Sequence, residues 1–212
     1  MSKLFRSTLP EHSFALLEEL MENPKLKNFY LVGGTSLALQ IGHRESIDLD
    51  LFSQEEFPAN MLDNYKAQQV ITKFGNSIET IIQGTKVFLF NFNYKLYKPL
   101  KTINSLRLAD PIDIGLMKLL ALQGRTTKKD IIDLYFIDKK VLPLEELLQI
   151  FEDFYPKDSF NSYQSFKMLI DREKIEGEPD PKMLEPINWN ACFEIVQNKI
   201  GTHIKSLVNL NE

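Results

Sequence analysis

The spacing of apolar residues changes several times along the chain, and each change predicts an element. In HSFALLEELME, residues 12–22, apolar side chains recur at helical spacing and stop at Asn23-Pro24, which predicts a first helix. Phe29-Tyr30-Leu31-Val32 is a short run of strand formers, followed at once by Gly33-Gly34 and the helix-compatible TSLALQ. From Ser46 to Phe52 the chain alternates, with Ile47, Leu49 and Leu51 apolar and Ser46, Asp48 and Asp50 polar. That period of two marks a half-buried strand with both aspartates on one face. A helix is expected over Ala59 to Gln69, and strands over Ser77 to Ile82 and Lys86 to Phe92, with Gly84-Thr85 as the turn.

The pattern becomes helical after this point. Asp110-Pro111 offers an N-cap followed by proline at the first helical position, and IDIGLMKLLALQG runs to a glycine stop. Further helices are expected over Thr127 to Asp138, Leu144 to Phe154, Phe160 to Glu173 and Asn188 to Ile200, with prolines at the joints. The fold class is α+β, divided into an α+β part over residues 1–108 and a helical part over 109–212.

Composition adds few constraints. The 212 residues are 43% hydrophobic and 25% charged, with 15 Phe, enough for a well-filled core and against disorder. The single cysteine, Cys192, cannot form an internal disulfide, and no stretch resembles a signal peptide or a membrane span, so a cytoplasmic address without a membrane partner is expected. A net charge of −4 gives no global footprint for coating nucleic acid, although Arg125, Lys128 and Lys129 form a local basic patch.

The chemistry concentrates around the glycine turn and the aspartates. Carboxylates at i and i+2 of a strand have Cα atoms about 6.6 Å apart, so Asp48 and Asp50 can converge on a cation. Mg²⁺ takes one or two carboxylates and completes its shell with water and substrate phosphate oxygens, and Mn²⁺ suits the same donors. Gly33 and Gly34 allow close backbone approach, while Thr35 and Ser36 open a helix whose free N–H groups and hydroxyls suit phosphate. Each feature also has a plain alternative: Gly-Gly as a simple turn, and Asp-x-Asp as a solvated strand face.

A second cluster lies in the helical half. Lys118 and Arg125 are seven residues apart and share a helix face if the helix reaches Arg125, and Lys129 and Asp133 are at i and i+4. Lys118 is a candidate for neutralising a triphosphate. The alternative pairs Asp130 and Asp133 with Arg125 and Lys129 in a surface network contributing little stability. His43, beside Arg44 and Glu45, reads as a hydrogen-bonded loop residue, and Cys192 as a packed apolar one.

With these residues in hand, LVGGTSLALQIGHRESIDLDLF resembles the first motif of the AbiEii/AbiGii toxin-type nucleotidyltransferases, a branch of the polymerase-beta-like superfamily. DIGLMKLLALQGRTTKKDIIDLYFI resembles that family's later motifs, and Asp171 is similar to its late acidic position. The resemblance implies a nucleotidyltransferase core followed by a helical domain that completes the site. It gives Gly33, Gly34, Thr35 and Ser36 to nucleotide phosphates, Asp48 and Asp50 to the metal, Lys118 to phosphate, and Asp133 to orienting Lys118 or the acceptor. Arg125, Lys129 and Asp130 match the motif as further nucleotide-binding positions.

The implied activity is Mg²⁺- or Mn²⁺-dependent transfer of a nucleoside monophosphate from an NTP to an acceptor hydroxyl of RNA, with tRNA the favoured case, in a toxin or phage-defence setting with a separately encoded antitoxin. The superfamily commonly adds a third carboxylate from a neighbouring strand. The strand KVFLFNF has no acid, and Glu79 is the nearest. That departure keeps two other readings open: a non-catalytic nucleotide-binding regulatory module, and an enzyme that nucleotidylates protein.

Overall fold

The computed structural model describes residues 3–65, 67–74, 77–122, 124–155 and 172–209, with backbone only for 67–74, 173, 174, 208 and 209. The chain divides into two compact units, Met1–Asp110 and Pro111–Glu212. Among the described residues no helix is long and apolar enough to cross a membrane.

In the first unit, α1 (Glu11–Glu22) precedes β1 (Tyr30–Leu31) and α2 (Gly33–Ile41). These are followed by β2 (Leu49–Ser53), β3 (Ala67–Phe74), β4 (Ser77–Ile82), β5 (Thr85–Asn91), β6 (Lys101–Ile103) and β7 (Leu106–Leu108). The seven strands form one mixed sheet in the order β3-β4-β5-β2-β1-β7-β6. Its parallel pairs are β2 with β5 and β1 with β7.

Alternation decides which sheet face is buried. Leu49 and Leu51, Val87 and Leu89, and Ile78 and Ile82 join the core with Phe14, Leu16, Leu17 and Leu20 of α1. Asp50, Phe52, Phe88, Phe90 and Glu79 lie on the opposite, partly exposed face. The carbonyls at the end of α1 and in the following turns are satisfied by Arg107, whose guanidinium donates to the carbonyls of Met21, Leu26 and Phe29 at 3.0, 3.0 and 2.7 Å.

Several sequence expectations need correction. No helix forms over residues 59–65; three successive i to i+3 turns occupy the region, with Asp63 N donating to Asn60 O at 3.2 Å among them. Asn60, Asp63 and Asn64 favour turns, and Val70, Ile71 and Thr72 belong to a strand paired with β4. The hairpin turn is Gln83-Gly84, with φ of 51° and 78°, one residue earlier than expected. The aspartate strand begins at Leu49, so Asp48 lies just before it, and Ile47 is exposed rather than packed.

The second unit contains α3 (Pro111–Ala121), α4 (Lys128–Lys140), α5 (Leu144–Phe154), α6 (Arg172–Glu176) and α7 (Trp189–Asn209). Thr127 caps α4 by accepting from Asp130 N at 3.2 Å, and Asp138 accepts from Leu144 N at 2.7 Å to start α5. Because α3 stops at Ala121, Arg125 is not on its face and lies exposed beyond it. The final helix runs nine residues past the expected Ile200 to Asn209. Most of the expected helix 160–173, with Asp171, lies outside the described residues.

Candidate active site

The glycine turn is already the first turn of α2, entered directly from the short β1. Gly33 has φ +66°, a conformation that costs other residues energy. A Cβ on it would stand 2.4 Å from Asp50 Oδ2, and one on Gly34 would stand 2.1 Å from Nη2 of buried Arg44. A side chain at Gly33 would displace the Asp50 carboxylate, and one at Gly34 the Arg44 guanidinium. Val32, which precedes the helix, offers no side-chain cap to the first-turn amides.

The aspartates are tied to this turn through the backbone. Val32 N donates to Asp50 O at 2.9 Å, and the Thr35 hydroxyl donates to Asp48 O at 2.5 Å, with Ser46 Oγ also 2.8 Å from Thr35 Oγ1. Thr35 and Ser36 are both buried, and Gln40 Nε2 donates to Ser36 Oγ at 3.2 Å. Their hydroxyls thus serve the scaffold of the turn. Gly33, Gly34, Thr35, Ser36, Asp48 and Asp50 come together in the first unit, as their spacing predicted.

The sheet register supplies what spacing alone could not. Asp50 pairs with Phe88 and Phe88 with Glu79, giving one row across β2, β5 and β4. Glu79 is therefore two strands, roughly 10 Å, from Asp50. It forms an ion pair with Lys86. Lys86 was missed as a site residue because its place beside the aspartates depends on a long-range parallel register. Its ammonium is held above the usual lysine range, first by the Glu79 hydrogen bond, then against desolvation by the fields of Glu79, Asp48 and Asp50.

In the second unit Lys118 Nζ lies 2.8 Å from Asp130 Oδ1 and 2.7 Å from Asp133 Oδ2, with all three residues buried. Asp130 and Asp133 thus meet Lys118 in a buried bridge between α3 and α4, rather than forming the alternative surface network with Arg125 and Lys129. Desolvation pushes the Asp130 carboxyl up, but the Lys118 charge and hydrogen bonds from Lys118 and Thr127 outweigh it and hold it below the ordinary carboxylate range. Lys129 is exposed on α4, whereas Asp130 and Asp133 are buried. His43 and Cys192 are buried, and burial first, then the Asp133 charge, pushes the Cys192 thiol up to about 12.

The donor chemistry fits a hard divalent cation: two carboxylates beside a turn where an added Cβ would meet one of them. Among the described residues no group of three or more metal-ligating side chains gathers in one place.

Comparison with known proteins agrees with this architecture. The chain is 28% identical over 202 residues to the uncharacterized protein aq_aa25 of Aquifex aeolicus (strain VF5), covering 90% of this chain and 95% of that one. Its fold is similar to a provisionally named nucleotidyltransferase from H. pylori, with TM-score 0.54 and 17% identity over 95% of this chain and 98% of that one. It is also similar to MenT4, a nucleotidyltransferase toxin of Mycobacterium tuberculosis H37Rv, with TM-score 0.53 and 14% identity over 91% of this chain and 84% of that one. The α+β nucleotidyltransferase fold is shared with both. The family model described as "Nucleotidyl transferase AbiEii toxin, Type IV TA system" matches residues 15–95. Those matched residues carry both the glycine turn and the aspartate pair, so the part of the chain similar to this family is the part that holds the candidate site.

Proposed function

We propose that this protein transfers a nucleoside monophosphate from an NTP to a hydroxyl of RNA, with tRNA the favoured acceptor, as the toxin of a toxin–antitoxin pair used in phage defence. The observation that carries the reading is the packing of Gly33 against Asp50, which brings an uncapped helix N-terminus to a metal-ligating carboxylate. In the reaction the acceptor oxygen bonds to the α-phosphorus as the bond to the bridging oxygen breaks and pyrophosphate leaves. Mg²⁺ or Mn²⁺ held by Asp48 and Asp50 would supply Lewis-acid polarisation of phosphoryl oxygens.

The chain's own residues divide the remaining work. First-turn amides of α2 bind phosphate, with Gly33 and Gly34 permitting close approach and buried Thr35 and Ser36 fixing the turn. Lys118 contacts phosphate and Asp133 orients it, a role supported by their 2.7 Å pair. Asp130 shares in holding Lys118, while exposed Arg125 and Lys129 supply positive charge for nucleotide or RNA.

The test is incubation of the purified protein with each α-labelled NTP, Mg²⁺ or Mn²⁺, and total RNA or total protein in parallel. Label in RNA is the expected result. Label in protein alone would replace the RNA acceptor with a protein hydroxyl, and bound nucleotide without transfer would make this a regulatory module.

A further inference from the structure

Charge balance on the aspartate face points to a feature beyond the aspartate pair itself. β4 and β5 contain one acid between them, Glu79. At the strand position beside Asp50, where a third carboxylate would have to stand, the chain carries Phe88. The ladder pairs Leu49 with Val87, so one step earlier Lys86 lies on β5 alongside Asp48. Glu79, diagonal to Lys86 across the β4–β5 pair, holds its ammonium on this face.

An ordinary cross-strand ion pair is worth little, and 47% of the Lys86 side chain is exposed. Its place matters more than its stability. A second divalent ion near Asp48 and Asp50 would need further oxygen donors and would be repelled by an ammonium on the same face. Lys86 supplies that repulsion and also occupies the only acid the two neighbouring strands offer.

We propose that Lys86 restricts the aspartate pair to a single divalent cation, with its ammonium, positioned by Glu79, taking the place in the charge balance that a second ion fills where a third carboxylate is present. This inference rests on the reading of Asp48 and Asp50 as metal ligands. It makes Lys86 and Glu79 positioning residues.

The experiment is equilibrium dialysis of the full chain against saturating Mn²⁺ with each non-hydrolysable α,β-methylene nucleoside triphosphate, counting ions and nucleotide retained by protein. Wild type should retain one Mn²⁺ per bound nucleotide, and Lys86→Arg likewise. Lys86→Met, which removes the charge and frees Glu79, should retain two. The double variant Lys86→Met with Glu79→Gln should return to one, since the extra donor is gone. Thermal melting of each variant confirms folding, which this exposed position should preserve. Two ions on wild type, or one on Lys86→Met, overturns the proposal while leaving the aspartate site in place. No retained ion on wild type, unchanged in Asp50→Asn, overturns the metal-site reading and the inference together.

Discussion

The Thr35 hydroxyl donates to the main-chain carbonyl of Asp48, so a side chain in the first turn of α2 fixes the backbone just ahead of β2. That hydroxyl is a strut between the glycine turn and the segment that carries the aspartates. Thr35→Val leaves that part-buried carbonyl without its donor and should cost about 1 kcal/mol in urea unfolding, with Thr35→Ser recovering most of it. Equal stability of Thr35→Val and wild type would remove the strut.

Gly33 cannot be replaced without disturbing Asp50. Gly33→Ala combines a left-handed backbone, about 1–2 kcal/mol of strain, with a methyl in the space of the Asp50 carboxylate. Mn²⁺ and nucleotide affinity should both fall, as measured by calorimetric titration. Unchanged Mn²⁺ affinity in a folded Gly33→Ala protein would show that the carboxylate does not depend on the turn.

The Lys118 bridge makes a stability prediction with a definite pH sign. Lys118→Met leaves two buried carboxylates without their shared cation and should cost about 3–5 kcal/mol near neutral pH. Asp130 is held below the ordinary carboxylate range in the folded protein, so its contribution is complete above about pH 4 and is lost as pH falls through the folded value. In Lys118→Met burial acts without the compensating charge. The gap between wild type and variant should therefore narrow as pH falls below about 4, measured by urea unfolding at several pH values; a gap that widens would contradict the assignment.

Cys192 is buried and its thiol is pushed up to about 12, chiefly by burial. A thiol-reactive chromophore at pH 8 should label native protein only at the rate of opening and label denatured protein at once. Rapid stoichiometric labelling of the native state would contradict the packing around α7.

Local signals in the sequence were enough to locate α1, α5, β4 and the glycine turn, because helix spacing, strand alternation and Gly-Gly act within a few residues. The Asp48–Asp50 pair was legible for the same reason, although Ile47 mimicked a buried strand position and turned out exposed. The region after Pro58, expected as a helix, forms turns instead because Asn60, Asp63 and Asn64 favour them. Long-range contacts left no local trace: the Arg107 guanidinium on three carbonyls, the pairing of Lys118 with Asp130 and Asp133 across two helices, and Lys86 beside the aspartates through parallel pairing of β2 and β5.

The central claim is that the aspartates beside the glycine turn perform nucleotidyl transfer. The most direct measurement is label transferred from α-labelled NTP to RNA by wild type and by Asp50→Asn, with folding of both verified by thermal melting. Transfer by wild type should fall by about 100-fold or more in Asp50→Asn, with melting little changed for this partly exposed side chain. Equal transfer by the folded variant would contradict the account.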